Sequence, residues 1–167
     1  MSRLRRLFIT GKIFFVTCDV LRTRAMLTEN EFDLLAAAFD RVRERRGFLL
    51  SGYVFMPDHW HGLLYPAPAD ALPRLMGAIK IASNRTFKRS RRTRGEFWHL
   101  RYFDRAIRTV KEYRDALQYI HTNPVKRGLV KKPEDWPWSS IHSYGGPSPA
   151  RLRVDVLDLP AEERTRL

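Results

Sequence analysis

Two four-residue segments, Thr28-Glu29-Asn30-Glu31 and Thr109-Val110-Lys111-Glu112, constrain the fold of this chain more than any other feature. Each sets a hydroxyl residue three positions ahead of a glutamate. This is the pattern in which the two side chains close the orphan amides at a helix start. After the first, apolar residues at 32, 35, 36, 39 and 42 keep helical spacing until Gly47 offers a stop. After the second, positions 110, 113, 116, 117 and 120 do the same, and Pro124 is expected to end the helix. Leu72, Leu75, Met76, Ile79, Ala82 and Phe87 mark a further amphipathic helix of about four turns.

The intervening segments read as strands, being rich in β-branched and aromatic residues. They are Lys12 to Val20, Phe48 to Met56, His59 to Tyr65, and a fourth within Phe97 to Ile107. Pro57-Asp58 breaks the second from the third, as a hairpin or bulged turn would. The order β-α-β-β-α-β-α predicts an α+β fold, the ferredoxin-like split βαβ. That fold is a four-stranded antiparallel sheet with helices on one face, to which a C-terminal helix is added. Residues 1–145 are expected to form one domain. The Gly/Pro/Ser-rich stretch at 145–149 sets off 146–167 as a loosely attached tail.

Charge narrows the partner. Lys and Arg number 31 against 18 Asp and Glu, a net charge of +13, which favours a polyanion such as nucleic acid. The one cysteine, Cys18, excludes an internal disulfide and a Cys-rich zinc site, and its apolar surroundings predict a buried thiol. No apolar run approaches the roughly 18 residues of a membrane span, and the basic start lacks a signal peptide's apolar region. A cytoplasmic protein with no membrane association is expected.

Two groups of residues carry chemistry. His59-Trp60-His61 lies on a predicted strand, where alternate side chains share a face, so both imidazoles project together about 6.6 Å apart along the backbone. Such a pair can share a divalent metal, with Asp58 as an extra or outer ligand. Tyr119 and Asn123, at i and i+4, form one polar stripe on the third helix with Glu112 and Asp115. Tyr113 falls among the core positions instead. A metal on the histidines would polarise a phosphodiester, and a tyrosine on a nearby helix would attack it covalently. A basic loop at 88–94 is expected to clamp the strand. Candidate DNA contacts are Lys80, Arg85, Lys88, Arg89, Arg91, Arg92, Arg94, Arg105 and Arg108. Trp98, Tyr102 and Phe103 are candidates for stacking on unpaired bases, with at least one expected in the core.

Three segments carry a family resemblance: Phe55 to Leu63 (FMPDHWHGL), Trp98 to Arg108 (WHLRYFDRAIR) and Tyr119 to Val130 (YIHTNPVKRGLV). They resemble the REP-associated tyrosine transposases, relatives of the single-tyrosine insertion-sequence transposases within the HUH endonuclease superfamily. Glu134 to Ser140 (EDWPWSS) is similar to that family's C-terminal pattern. The resemblance implies that Tyr119 is the nucleophile, that His59, His61 and Asn123 hold Mg²⁺ or Mn²⁺, and that single-stranded DNA is cut and rejoined through a 5′-phosphotyrosine. The implied partner is DNA with hairpin-forming palindromic repeats, handled by a monomer or homodimer. Two alternatives stay open: a non-catalytic nucleic-acid-binding module on the same fold, and a nuclease in which water attacks.

Overall fold

The structure is a computed structural model and describes residues 13–68, 70–146 and 148–157. Lys12, expected to open the first strand, and the basic start lie outside the described residues. Within them the order is β1 (Ile13–Asp19), α1 (Glu29–Arg46), β2 (Leu49–Phe55), β3 (His59–Tyr65), α2 (Leu72–Arg91), β4 (Phe103–Ile107) and α3 (Val110–Lys126). Two short 3-10 helices, Pro133–Asp135 and Ser140–Tyr144, follow. The strands form one antiparallel sheet in the order β2-β3-β1-β4, as the split βαβ reading requires.

Alternation along the strands sorts side chains onto two faces. Val16, Cys18, Trp60 and Leu64 join Phe32, Leu35 and Phe39 of α1 and Leu75, Met76 and Ile79 of α2 in one core. Ile13, Phe15, Val54, Leu63 and Ile107 meet Tyr113, Ala116 and Ile120 of α3 in a second core on the opposite face. The helix bearing Tyr119 therefore covers one face alone. Gly52 lets it come close: a Cβ there would lie 2.7 Å from Leu117 Cδ1 and 3.3 Å from Leu63 Cδ1. Cys18 is fully buried, and burial pushes its thiol up to about 12.

Both predicted helix starts form. At α1 the Thr28 amide donates to Glu31 Oε2 at 2.9 Å, and Gly47, at φ 68°, closes the other end by donating to the Arg43 carbonyl. At α3 the Thr109 hydroxyl accepts from the Glu112 amide at 3.1 Å, while Glu112 reaches back to the Arg108 amide.

Three boundaries differ from the sequence reading. α2 continues through Arg91, so residues 88–91 of the expected basic loop are helical. Its last turn is held by Arg91, whose guanidinium bonds Glu31 on α1. The fourth strand does form within 97–107, as Phe103–Ile107, after an isolated bridge from Trp98 to Val20. Pro124 does not end α3. It sits one turn from the end, where it removes a single donor, and the Arg127 amide still reaches the Asn123 carbonyl. The segment 151–157 is not loosely attached either: Leu152 enters the α1/α2 core and Leu157 the α3 core. Asp155 bonds the backbone of Leu50 in both directions, so the segment covers the outer edge of β2. Residues 158–167 of the expected tail lie outside the described residues. Among the described residues no helix is long and apolar enough to cross a membrane.

Candidate active site

The central strands place the histidines. β3 pairs with β1 so that His61 lies opposite Thr17 and His59 opposite Asp19. Trp60 is locked into the other face against Phe39, which fixes the direction of its two neighbours. Each imidazole is held at Nδ1: His61 by the Thr17 hydroxyl at 2.8 Å, His59 by Asp58 Oδ1 at 2.6 Å. A carboxylate accepts only, so His59 donates to it from Nδ1. The two Nε2 atoms face each other at 3.0 Å. Burial, and then the charges of His59 and Arg127, push His61 down to about 3, so its imidazole is neutral at physiological pH.

α3 supplies the other half. Tyr119, Asn123 and Arg127 recur every four residues on one stripe. The Tyr119 ring stands edge-on to His61 at 5.2 Å between centroids and edge-on to Phe15 at 5.8 Å. Phe15 stacks on His61 at 5.4 Å, and Lys126 Nζ lies 5.0 Å over the tyrosine ring. Tyr119 is 41% exposed, whereas His59, His61 and Asn123 are 7%, 4% and 4% exposed. Tyr113, as expected, is buried in the core. The site is thus a sealed polar floor under an accessible phenol. Glu112 and Asp115 stay out of it, engaged with the Arg108 amide and Lys111.

The floor suits a divalent cation. Asn123 Nδ2 lies 3.3 Å from His61 Nε2, and its buried Oδ1 has no hydrogen-bond partner. An orphaned amide oxygen beside two converging imidazole nitrogens is a donor set that would fit a divalent cation. No three His, Cys, Asp or Glu side chains converge among the described residues. Asp58 acts one step out: Arg127 Nη2 donates to its Oδ2 at 2.6 Å while Oδ1 holds His59.

The candidate DNA contacts scatter. Arg91 is spent inside the fold, donating to both Glu31 oxygens and to the Ala25 and Met26 carbonyls. Lys80 donates to the His99 and Leu100 carbonyls, and Lys88 pairs with Glu96 at 3.0 Å. Arg92 is the left-handed cap of α2, and Arg94 is exposed in the loop beyond it. Arg85 and Arg89 line a cleft between α1 and α2. Arg105 lies opposite Phe15 on the histidine face, and Arg108 is exposed just before α3. Among the aromatics, Trp98 is buried with its indole N–H on Ser83, and Tyr102 is half-buried under Lys80. Phe103 is 57% exposed on the histidine face, opposite Thr17.

Sequence reasoning missed Thr17, Phe15, Lys126 and Arg127. Arg127 had a signal, since it continues the Tyr119–Asn123 stripe by one more turn. Thr17 and Phe15 become visible only once β1 is paired with β3 in register.

Comparisons with known proteins identify the family. The family described as "Transposase IS200 like" matches residues 11–123. A REP-associated tyrosine transposase of Escherichia coli (strain K12) is 32% identical over 98% of each chain. A putative REP-associated tyrosine transposase of Haemophilus influenzae (strain ATCC 51907 / DSM 11121 / KW20 / Rd) is 32% identical over 93% of this chain and 100% of its own. Among solved structures, a REP-associated tyrosine transposase bound to a REP hairpin superposes with a TM-score of 0.72 at 29% identity, covering 94% of each chain. A putative transposase from Deinococcus radiodurans, at TM-score 0.51 and 21% identity over 65% of this chain and 87% of its own, shares the fold. The chain belongs to the IS200-like transposase family and, within it, to the REP-associated tyrosine transposases.

Proposed function

We propose that the chain cuts and rejoins single-stranded DNA at hairpin-forming repeats through a covalent bond to Tyr119. The observation that carries this reading is the packing of an exposed tyrosine against His61, one helical turn from Asn123, within a single chain. No second subunit is needed to bring these groups together. In the forward step Tyr119 Oη attacks the scissile phosphorus and loses its proton to solvent. The P–O3′ bond breaks, and the 3′ oxygen leaves with the electron pair and takes up a proton. The 5′ end stays on the tyrosine as a phosphodiester, which preserves the bond energy for rejoining by a 3′-OH. Mg²⁺ or Mn²⁺ held by His59, His61 and Asn123 would withdraw charge from the phosphoryl oxygens. Phe103 and Arg105, on the same face, are available to an unpaired base and a neighbouring phosphate. The relative bound to a REP hairpin supports hairpin DNA as the substrate.

The test is incubation with end-labelled single-stranded hairpin DNA and Mn²⁺, followed by denaturing electrophoresis. A retarded protein–DNA band is expected for the native chain and none for Tyr119→Phe or His59→Ala. A band that persists in Tyr119→Phe would remove the tyrosine from the reaction. Free cleavage products that survive Tyr119→Phe would assign the attack to water. Binding without any cleavage by the native chain would leave a non-catalytic module.

A further inference from the structure

The helix that carries Tyr119 is also gripped from its other flank. After α3 the chain returns along β2: the Phe55 amide donates to the Trp138 carbonyl at 2.9 Å, and the Trp136 indole N–H donates to the Phe55 carbonyl at 2.9 Å. This path sets Ser140, fully buried, between two elements. Its Oγ accepts from the Tyr53 amide of β2 at 2.9 Å and is hydrogen-bonded to His121 Nε2 of α3, also at 2.9 Å. Tyr144 completes the contact. Its ring packs on His121 at 5.5 Å between centroids, and its hydroxyl donates to the Ser51 carbonyl of β2 at 2.6 Å. His121 is thus tied to the strand through one hydroxyl and held against one ring.

At about 100° per residue, His121 points about 160° round α3 from both Tyr119 and Asn123. Ala116 and Ile120, which press the helix onto the sheet, lie between these two flanks. Apolar contact is non-directional: it sets how close a helix lies, and leaves its turn about its own axis free. Directional bonds fix that turn, Arg127 to Asp58 on one flank and His121 to Ser140 on the other. A roll of about 20° carries an atom about 6 Å off the axis through about 2 Å. That is enough to take the Tyr119 ring out of its contact with His61, and a misplacement of about 1 Å already costs a reaction about 100-fold. We infer that His121 and Ser140 are positioning residues: their bond fixes the roll of α3, and with it the place of the Tyr119 phenol beside His61. That the phenol then attacks DNA rests on the proposed function; the clamp rests on the bonds that hold the helix.

The experiment compares His121→Ala and His121→Gln with the native chain; glutamine keeps both a donor and an acceptor at the reach of Nε2. Single-turnover adduct formation on hairpin DNA with Mn²⁺, protein in excess, separates the rate constant from the amplitude and from the half-saturating concentration. His121→Ala is expected to lower the saturated rate constant at least about tenfold. The half-saturating concentration should move by less than about twofold. His121→Gln should return the rate constant to within about threefold of native. In the chain free of DNA and metal, NMR of isotope-labelled tyrosine reads the Tyr119 ring, identified by its loss in Tyr119→Phe. The ring-current displacement that His61 and Phe15 impose on it should shrink in His121→Ala and return in His121→Gln. Ring resonances unmoved in His121→Ala would overturn the inference. So would a native rate constant in that variant, a loss confined to amplitude (which counts only folded protein), or a glutamine variant as slow as the alanine one. If His121→Ala melts early, His121→Phe keeps the bulk and removes both nitrogens, and the same slowing and ring displacement are expected of it. A native chain that forms no adduct while its ring resonances respond would sink the proposed function and leave the clamp standing.

Discussion

Asp58 divides its two oxygens between His59 and Arg127, and so ties the histidine strand to the end of the helix that carries Tyr119. Burial works against its charge, but the bond to His59 and the charge of Arg127 outweigh it and hold the carboxyl below its ordinary value. Asp58→Asn frees the His59 tautomer, and Mn²⁺ affinity, read by titration calorimetry, should fall about 10- to 100-fold. The histidine pair was legible in the sequence because a strand's period of two is enough to put them together. Thr17 was not, since its role depends on a strand pairing more than forty residues away in sequence. Glu31 makes a separate case at this scale. Burial would raise its carboxyl, but Arg91 and the Thr28 amide hold it below the ordinary 4.5. Because the folded value is the depressed one, its contribution to stability is complete above 4.5 and is lost as pH falls through the folded value. Urea midpoints should therefore drop on acidification below 4.5, and less steeply in Glu31→Gln.

α3 is the element on which function turns, and Gly52 sets its height above the sheet. Gly52→Val would press branched carbons against Leu117 and lift the helix. Denaturant unfolding should show a loss of about 1–3 kcal/mol, and adduct yield should fall further than stability alone explains, because Tyr119 leaves His61. The helix starts were readable from local chemistry, since a threonine and a glutamate three apart act on each other wherever they occur. The ends were not. α2 outran its expected stop because Arg91 found Glu31 on another helix, and α3 outran Pro124 because packing of that helix on the sheet outweighs one missing donor. Such tertiary bonds leave no mark on a local pattern.

At the scale of the whole molecule, the order of elements sufficed for the sheet and its two faces, because a split βαβ leaves few ways to bury them. What composition hid is the fate of residues 151–157. A Gly/Pro/Ser-rich approach suggested a free tail, yet Leu152 and Leu157 straddle the β2 edge and sit in different cores. An uncovered edge strand is a template for another chain. Truncation after Ala150 should therefore produce concentration-dependent self-association in light scattering, together with a lower melting temperature.

Tyr119 and Asn123 sit one turn apart on the same rigid rod, about 6 Å along its axis. α3 cannot swing its tyrosine away from the sheet without also pulling the amide out of the histidine pair. In the proposed reaction this acts as an interlock: an armed nucleophile and a complete cation site exist together or not at all. By reciprocity, whatever steadies one end of the rod steadies the other.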